Sequence, residues 1–400
     1  MTKEYFIGYD LGSSSLKVAI VDSITGENIL SIHEPKGEMS ILSQQADWAE
    51  QNPDDWWDFL CLATRRALKE SKIKSSDIKA IGISYQMHGL VVIDKNKKSL
   101  RNSIIWCDSR AVNIGEKAFK DLTHKKCTKK LLNSPANFTA SKLKWVKDNE
   151  PEIFERIYKF MLPGDYIALK LSDKITTTSN GLSEGIFWDY ESDKVASWLL
   201  DYFEFDTRLV PEIVENFTNQ CFVSKKASGE TGLPEGIPIT YRAGDQPNNA
   251  LSLNIFNKGE VAATGGTSGV IYAITDNKTS NEASRINHFA HVNYSKNNSS
   301  IGKLLCINGA GIMYRWLRNQ SSALSYEDMN SEGSKIPIGS EGLIILPFGN
   351  GAERMLDNSN IGAQFCNINL NLHSKAHLYR AALEGIAFSF VYGMETVSYT

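Results

Sequence analysis

The 400-residue sequence lacks several features that would restrict its class at once. Its six cysteines are scattered without a Cys-x-x-Cys pair, so the sequence indicates neither a zinc site nor a disulfide framework. No apolar run approaches the roughly 18–20 residues that cross a bilayer, and no long apolar leader segment follows Met1. We therefore expect buried free thiols, a cytoplasmic location and no membrane partner.

The sequence also lacks a strong excess of positive charge. Its formal net charge is −3, and the lysine clusters Lys95–Lys98 and Lys125–Lys130 are short. Such a charge balance provides no extended basic surface for a polyanion. We expect no nucleic-acid partner, and we expect both lysine clusters to lie in solvated loops.

The length predicts two domains, because single cores stop growing at about 250–300 residues. Strand and helix patterns alternate, which is typical of an α/β protein with mixed sheets. A strand, a turn of small residues and a second strand over Tyr5–Asp22 recur over Gly259–Thr275. Two domains of similar plan would produce this echo, so we predict an N-terminal domain of residues 1–254 and a C-terminal domain of residues 255–400.

Local sequence signals predict two helices and one strand. Asn52 and Pro53 suit the start of a helix over Pro53–Glu70. Ile78–Ser84 is typical of a short buried strand, and polar residues follow it. A second helix is predicted over Asp245–Leu253. Considered alone, Asp245 could be no more than the N-cap of this helix.

Both small-residue turns are candidate phosphate sites, because glycine and hydroxyl residues let backbone N–H groups approach oxygen closely. Neither turn fits the Walker pattern or the dinucleotide fingerprint. A plain hairpin turn is the alternative for each. The candidate phosphate-binding residues are Gly12, Ser13, Ser14 and Ser15 in the first turn and Gly265, Gly266 and Thr267 in the second.

Six sequence blocks in a characteristic order resemble the FGGY carbohydrate kinases. The blocks are Gly8–Lys17, Gln86–Gly89, Trp106–Arg110, Gly244–Asp245, Thr264–Gly269 and Glu384–Phe388. The resemblance covers the whole chain. It implies two ribonuclease-H-like (actin-like ATPase) domains with mixed sheets around a central cleft, with ATP and Mg²⁺ as cofactors.

The resemblance assigns roles to two aspartates. Asp245 matches the catalytic base, which accepts the proton of the attacking sugar hydroxyl. Asp10 matches a catalytic carboxylate that helps to hold Mg²⁺, and Asp245 lies near the same ion. An aspartate that only begins a turn is the alternative for Asp10, and Lys17 is expected to be a solvated strand lysine.

The resemblance also predicts substrate contacts. Met87 and His88 match a Met-His pair that contacts the sugar in the xylulokinase branch of the family. A core histidine whose hydrogen bonds are made within the protein is the alternative for His88. Gln246 is a further candidate contact, although that branch usually has Asn there, and Tyr85 stands where a small residue is expected. Asp108 is the last candidate, with an internal ion pair to a neighbouring arginine as the alternative.

The implied activity is ATP-dependent phosphorylation of D-xylulose to D-xylulose 5-phosphate. Another sugar or polyol (ribulose, fuculose, rhamnulose or glycerol) is the alternative within the class. An actin- or chaperone-like ATPase and an inactive binding module are the alternatives outside it. The expected partners are the sugar and ATP, and a homodimer stays open. Because family members continue beyond the equivalent of Thr400 with an adenine-pocket segment, we expect a second domain truncated at its C-terminus. If the chain is the entire polypeptide, we expect weak ATP binding and an unstable second domain.

Overall fold

The structure is a computed structural model that describes residues 3–398. The strands are β1 Tyr5–Leu11, β2 Leu16–Asp22, β3 Asn28–Glu34, β4 Glu50–Gln51, β5 Ile78–Tyr85, β6 Val91–Ile93, β7 Ser103–Ile104, β8 Lys159–Met161, β9 Thr176–Thr178, β10 Trp188–Asp189, β11 Lys194–Val195, β12 Glu212–Val214, β13 Cys221–Phe222, β14 Pro238–Gly244, β15 Val261–Gly265, β16 Gly269–Thr275, β17 Asn287–Ala290, β18 Ile301–Ile307, β19 Ile344–Leu346 and β20 Gln364–Cys366. The helices are α1 Pro53–Ser71, α2 Val112–Asp121, α3 His124–Lys130, α4 Thr139–Asn149, α5 Pro151–Phe154, α6 Pro163–Ser172, α7 Ser179–Glu184, α8 Ser197–Phe203, α9 Lys225–Thr231, α10 Asp245–Ser252, α11 Gly311–Gln320, α12 Tyr326–Gly333 and α13 Lys375–Ser398.

The described chain divides into two compact units. Unit 1 contains the residues up to Phe256 together with Asp276–Lys278 and Phe289–Ile301. Unit 2 contains Asn257–Thr275, Thr279–His288 and the residues from Gly302 onward. The domain boundary after residue 254 stays a prediction.

Unit 1 is built on a six-stranded sheet with the order β13-β14-β5-β1-β2-β3. β1 pairs antiparallel with β2 and parallel with β5, and β5 also pairs parallel with β14. The sheet is therefore mixed, and the predicted α/β class is confirmed. Alternate residues of β1 and β2 are buried, as expected of strands that pack one face on a core.

Helix α1 covers this sheet and confirms the predicted helix. Asn52 caps it, since the Asn52 side chain accepts a hydrogen bond from the Asp54 backbone N–H at 3.2 Å. Its inner face buries Trp56, Leu60 and Ala63 at helical spacing against β2 and β3. The apolar residues therefore determine which face of α1 packs on the sheet.

A four-stranded sheet has the order β15-β16-β18-β17. In unit 2, β15 and β16 form the antiparallel hairpin that the sequence predicts, with Gly265 opposite Gly269. Helix α13 extends from Lys375 to Ser398 and packs against α12 and β19 of the same unit. The two strand–turn–strand patterns are thus both hairpins.

Two local expectations are wrong. Lys125–Lys130 lie in helix α3 instead of a loop, because the Thr123 side chain caps the helix and Cys127 anchors its inner face. The thiols are not all buried either, since Cys107 is exposed. All six cysteines are free thiols in the described part of the chain. Between residues 3 and 398, no helix is both long enough and apolar enough to cross a membrane.

Two helical glycines form a matched test of the packing in unit 1. A Cβ atom at Gly164 in α6 would lie 2.1 Å from the buried ring of Tyr85, whereas a Cβ at Gly229 in α9 would meet nothing within 4 Å. Gly164→Ala should lower the free energy of unfolding by about 1–3 kcal/mol through overpacking. Gly229→Ala should raise it by about 0.5–1 kcal/mol, because alanine favours a helix over glycine. Urea unfolding measures both, and a Gly164→Ala variant as stable as the wild type would contradict this packing.

Candidate active site

Three parallel strands of unit 1 end at the same edge of the sheet. Tyr85, the last residue of β5, is paired with Leu11 at the end of β1 and with Gly244 at the end of β14. The carboxyl ends of adjacent parallel strands lie side by side. The first Gly/Ser turn, the Gln86–Gly89 segment and the start of α10 therefore leave the sheet next to one another. Three of the predicted site blocks are brought together in this way.

The first turn is held by hydrogen bonds from other segments. The Ser13 carbonyl accepts from Gln51 Nε2 at 2.6 Å, and the Ser14 carbonyl accepts from the Met39 backbone N–H at 2.8 Å. Gln51 Oε1 also accepts from Gln86 Nε2 at 3.1 Å. Gln51 thus links the first turn to the segment that follows β5, which sequence reasoning did not foresee.

Asp10 lies at this edge beside two polar side chains. Its carboxylate accepts from Ser84 Oγ at 3.2 Å and forms an ion pair with Lys17 Nζ at 3.2 Å. Lys17, which the sequence assigned to solvent, is well exposed, so the ion pair adds little stability. These three residues, with Tyr241 and Asn248, help to line a cavity of about 460 Å³ within unit 1.

Asp245 is the first residue of α10, and Gly244 occupies the N-cap position. The alternative that Asp245 is itself the N-cap is therefore wrong. Gly244 is packed tightly, because a Cβ there would lie 2.5 Å from both Glu184 Oε2 and Met87 Cγ. Only glycine leaves space for the neighbouring carboxyl group and thioether at this corner.

The Asp245 carboxyl has a strongly perturbed pKa. Burial and, to a smaller extent, the negative charge of Asp10 together raise the pKa of Asp245 to about 6. Hydrogen bonds from the backbone and side-chain amides of Gln246 oppose this change, since they favour the ionised carboxylate. Gln246 therefore contacts the carboxylate of Asp245, and a contact of Gln246 with a sugar stays a prediction.

Met87 and His88 follow β5 as predicted, but only His88 has appreciable exposure. Met87 is 4% exposed and packs on Gly244, whereas His88 is half-buried between Phe138 and Phe289, at ring-centroid distances of 4.6 and 5.2 Å. The imidazole of His88 is thus the more accessible of the two candidate sugar contacts.

Tyr85, which departs from the expected small residue, belongs to the core. Its ring is 1% exposed and lies against Gly164 in α6. Burial raises its pKa well above the usual value. The large residue at position 85 is therefore accommodated by a glycine on a neighbouring helix.

Asp108 is fully buried and forms the internal ion pair that was its alternative assignment. Its carboxylate accepts from Arg110 Nε at 2.9 and 3.0 Å and from the Ala49 backbone N–H at 2.6 Å. The guanidinium of Arg110 stacks on the Trp48 ring, with 3.8 Å to the ring centroid. A direct contact of Asp108 with sugar remains an untested prediction. Trp106 at the start of the same block is exposed, and its Nε1 lies 3.4 Å from Ser13 Oγ.

The second Gly/Ser turn lies in unit 2 and is exposed. The Gly266 carbonyl accepts from the Gly311 backbone N–H at 3.1 Å, and the Thr267 carbonyl accepts from the Ile312 backbone N–H at 3.0 Å. A Cβ at Gly311 would lie 2.2 Å from the Gly266 oxygen. The start of α11 therefore supports the turn from one side.

Asp10 and Asp245 are the two carboxylates that could hold a metal ion at this edge of the sheet. Within the described part of the chain, no group of three or more His, Cys, Asp or Glu side chains is arranged to hold a metal ion. Mg²⁺ beside a nucleotide usually needs only one or two protein carboxylates, because phosphates and waters supply its other oxygens. Asp10 and Asp245, whose charges interact, fit this smaller requirement.

Comparison with known proteins identifies the class. Residues 5–252 match the N-terminal domain of the FGGY family of carbohydrate kinases. The match covers more than half of the chain, and the chain belongs to this family. The protein is therefore a carbohydrate kinase, as the sequence predicted.

Individual relatives agree with this assignment. The chain is 28% identical over 393 residues to a xylulose kinase of Bacillus subtilis, covering 96% of this chain and 76% of the relative. It is 29% identical over 395 residues to a xylulose kinase of Lactococcus lactis, covering 96% and 75%. The crystal structure of xylulose kinase from Rhodospirillum rubrum has a TM-score of 0.88 at 23% identity, covering 99% of this chain and 79% of that one. The structural likeness shows that the fold is shared.

The raised pKa of Asp245 predicts a stability change with a defined sign. Between about pH 4 and pH 6 the folded protein binds a proton at Asp245 that the unfolded chain has lost, so ionisation of Asp245 costs stability as the pH rises. Asp245→Asn should therefore raise the free energy of unfolding at pH 8 by up to about 3 kcal/mol. The gain should shrink as the pH approaches 4, which urea unfolding at several pH values measures.

Asp22→Asn is the matched control for this measurement. Backbone hydrogen bonds from Thr25 and Ile24 lower the pKa of Asp22, so its ionised form stabilises the folded protein. Asp22→Asn should lower stability at pH 8, the opposite direction. If Asp245→Asn were also destabilising at pH 8, the raised pKa of Asp245 would be refuted.

Proposed function

We propose that this carbohydrate kinase transfers the γ-phosphoryl group of ATP to D-xylulose, giving D-xylulose 5-phosphate. One observation carries the proposal: the parallel pairing of β1, β5 and β14 places Asp10, His88 and Asp245 at the same edge of one sheet. A carboxylate for a metal ion, a polar ring for a sugar and a second carboxylate for a proton are the parts that phosphoryl transfer to a hydroxyl requires.

Asp245 is the proposed general base. A base works best when its pKa lies near, but below, the working pH, because it is then ionised and still accepts a proton well. With a pKa of about 6, Asp245 is mostly ionised at neutral pH. It would accept the proton of the sugar hydroxyl as that oxygen attacks the γ-phosphorus, and the amides of Gln246 would keep its carboxylate oriented.

Asp10 and the two Gly/Ser turns are proposed to hold the ATP phosphates. Asp10 would bind Mg²⁺ in a cavity that Lys17 also lines. When bound, Mg²⁺ neutralises charge on the phosphates. The backbone of Gly12–Ser15 and of Gly265–Thr267 would contact phosphate oxygens through N–H groups, as small residues in turns allow.

The choice of xylulose rests on the relatives and on one residue pair. Curated relatives that cover almost the whole chain are xylulose kinases. Met87 and His88 also match the Met-His pair of that branch. A different sugar is the second candidate, because Gln246 replaces the usual Asn and already binds the Asp245 carboxylate. Because the Gln246 side chain is longer than that of Asn, it changes the space beside Asp245 in which a sugar would bind.

A sugar panel with one base variant tests the proposal. The purified chain should release ADP from Mg·ATP with D-xylulose, and its kcat/KM should fall as the pH drops below about 6. Asp245→Asn should lower kcat by about 10²–10⁴-fold, the usual contribution of a general base. A coupled ADP assay measures these values, with Asp22→Asn as a control that retains activity.

Three outcomes would revise the proposal in different ways. Turnover with another ketose or polyol but not with xylulose would remove the substrate assignment and keep the class. ADP release that does not depend on any sugar would favour an ATPase. Full activity of Asp245→Asn would remove the base assignment.

The role of Asp10 predicts two linked effects. Asp10→Asn should lower kcat at least ~100-fold, because the variant loses a carboxylate that would hold the metal ion beside the phosphates. Its residual activity should persist to lower pH than that of the wild type, since the negative charge of Asp10 raises the pKa of Asp245. Ser84→Ala removes only a hydrogen bond to Asp10 and should have a smaller effect on kcat. An unchanged kcat in Asp10→Asn would contradict the metal role.

A further inference from the structure

His88 has a backbone conformation that its residue type does not favour. Its φ angle is +60°, in the left-handed region, where non-glycine residues usually need support from the surrounding structure. His88 directly follows Met87 beyond the end of β5, at the sheet edge described above. The direction of the imidazole therefore depends on whatever holds this peptide.

Glu184 contacts His88 at two points. Its carboxyl Oε1 accepts a hydrogen bond from the His88 backbone N–H at 3.3 Å, and its main-chain oxygen lies 3.0 Å from His88 Nδ1. A carbonyl oxygen can only accept, so Nδ1 carries the proton in the neutral ring. In that tautomer, Nε2 is the ring atom able to accept a hydrogen bond from a sugar hydroxyl.

Lys142 holds the other side of the same residue. Its ammonium group donates to the His88 carbonyl at 2.9 Å and to the Ile105 carbonyl at 2.9 Å. Ile105 immediately precedes the block that begins at Trp106, so Lys142 joins that block to His88. The N–H and the C=O of His88 are thus each bound by a side chain that can carry charge.

Both side chains are buried at some cost in stability. Lys142 is 0% exposed and Glu184 is 2% exposed. Burial lowers the pKa of Lys142 to about 7 and raises the pKa of Glu184 well above its usual value. Buried ionisable groups are costly unless they serve a specific contact. Their shared contact here is the backbone of His88.

We propose that Glu184 and Lys142 are positioning residues that hold His88 in its left-handed conformation and so orient its imidazole toward the sugar. The proposal rests on the role of His88 as a sugar contact in the proposed function. Neither Glu184 nor Lys142 needs to touch the sugar. Both should determine sugar affinity through His88 alone.

Hydrogen exchange of the backbone tests the positioning directly, without any substrate. In Glu184→Ala and in Lys142→Met, the amides of a peptide spanning residues 85–89 should exchange at least ~10-fold faster than in the wild type. Glu184→Gln keeps an acceptor oxygen of similar size and should stay near the wild-type rate. Lys303→Met is the matched control, since Lys303 is also a buried lysine that donates to a main-chain carbonyl, that of Val397.

Steady-state kinetics with a double-mutant cycle tests whether Glu184 and Lys142 affect the sugar KM through His88. Each of Glu184→Ala and Lys142→Met should raise KM for the sugar about tenfold and change KM for ATP less than ~2-fold. In a His88→Ala background, either change should raise the sugar KM by no more than ~2-fold. A purely structural role would give equal increases in both backgrounds.

The outcomes separate this inference from the proposed function. Unchanged exchange over residues 85–89, or sugar-KM effects that add fully to His88→Ala, would overturn the positioning role. Faster exchange together with non-additive KM effects would support it. Failure of the proposed function would instead appear in the wild type, as absence of turnover with every sugar tested.

Discussion

The parallel pairing of β1, β5 and β14 is the constraint on which the candidate site depends. Tyr85 lies opposite both Leu11 and Gly244, so the three strands end at the same level. Successive side chains of a strand point to opposite faces, and a slip of one residue would reverse them. The buried alternate residues of the strands prevent such a slip. The same apolar pattern that builds the core therefore places Asp10 and Asp245 at a common edge.

Unit 1 uses buried polar groups to complete this edge, at some expense of stability. Asp245 has a raised pKa, and Glu184 and Lys142 bind the backbone of His88 from within the protein. Apolar residues at these positions would stabilise the fold more simply. Strained or poorly solvated groups collected in one place are typical of functional sites. In unit 1, two of them contact His88, the residue that is proposed to contact the sugar.

Much of the local structure could be predicted from sequence, because short-range signals are strong in it. Asn52 and Pro53 begin α1, and both Gly/Ser turns join antiparallel strands. The loop predicted over Lys125–Lys130 is wrong. The short helix α3 has one buried residue, Cys127, so its sequence shows no apolar periodicity that would predict it. Lys142 shares the buried face of α4 with Val146 four positions later, a spacing that could have signalled a buried lysine. Glu184 had no such signal, because its partner His88 lies 96 residues away in sequence.

The sequence by itself determined the class of fold, the family and the residue types available for phosphoryl transfer, because these follow from local pattern and from ordered blocks of residues. Tertiary structure alone decided where those residues lie and which groups they contact. It buried Asp108 in an ion pair, placed Tyr85 in the core against Gly164, and made Gly244 the cap of α10 in place of Asp245. It also set the pKa of Asp245, since burial and the charge of Asp10 depend on which strands are neighbours. The separation of two residues in sequence does not tell how close they lie in space. The pKa of Asp245 depends on that closeness, because the charge of Asp10 acts across the folded structure.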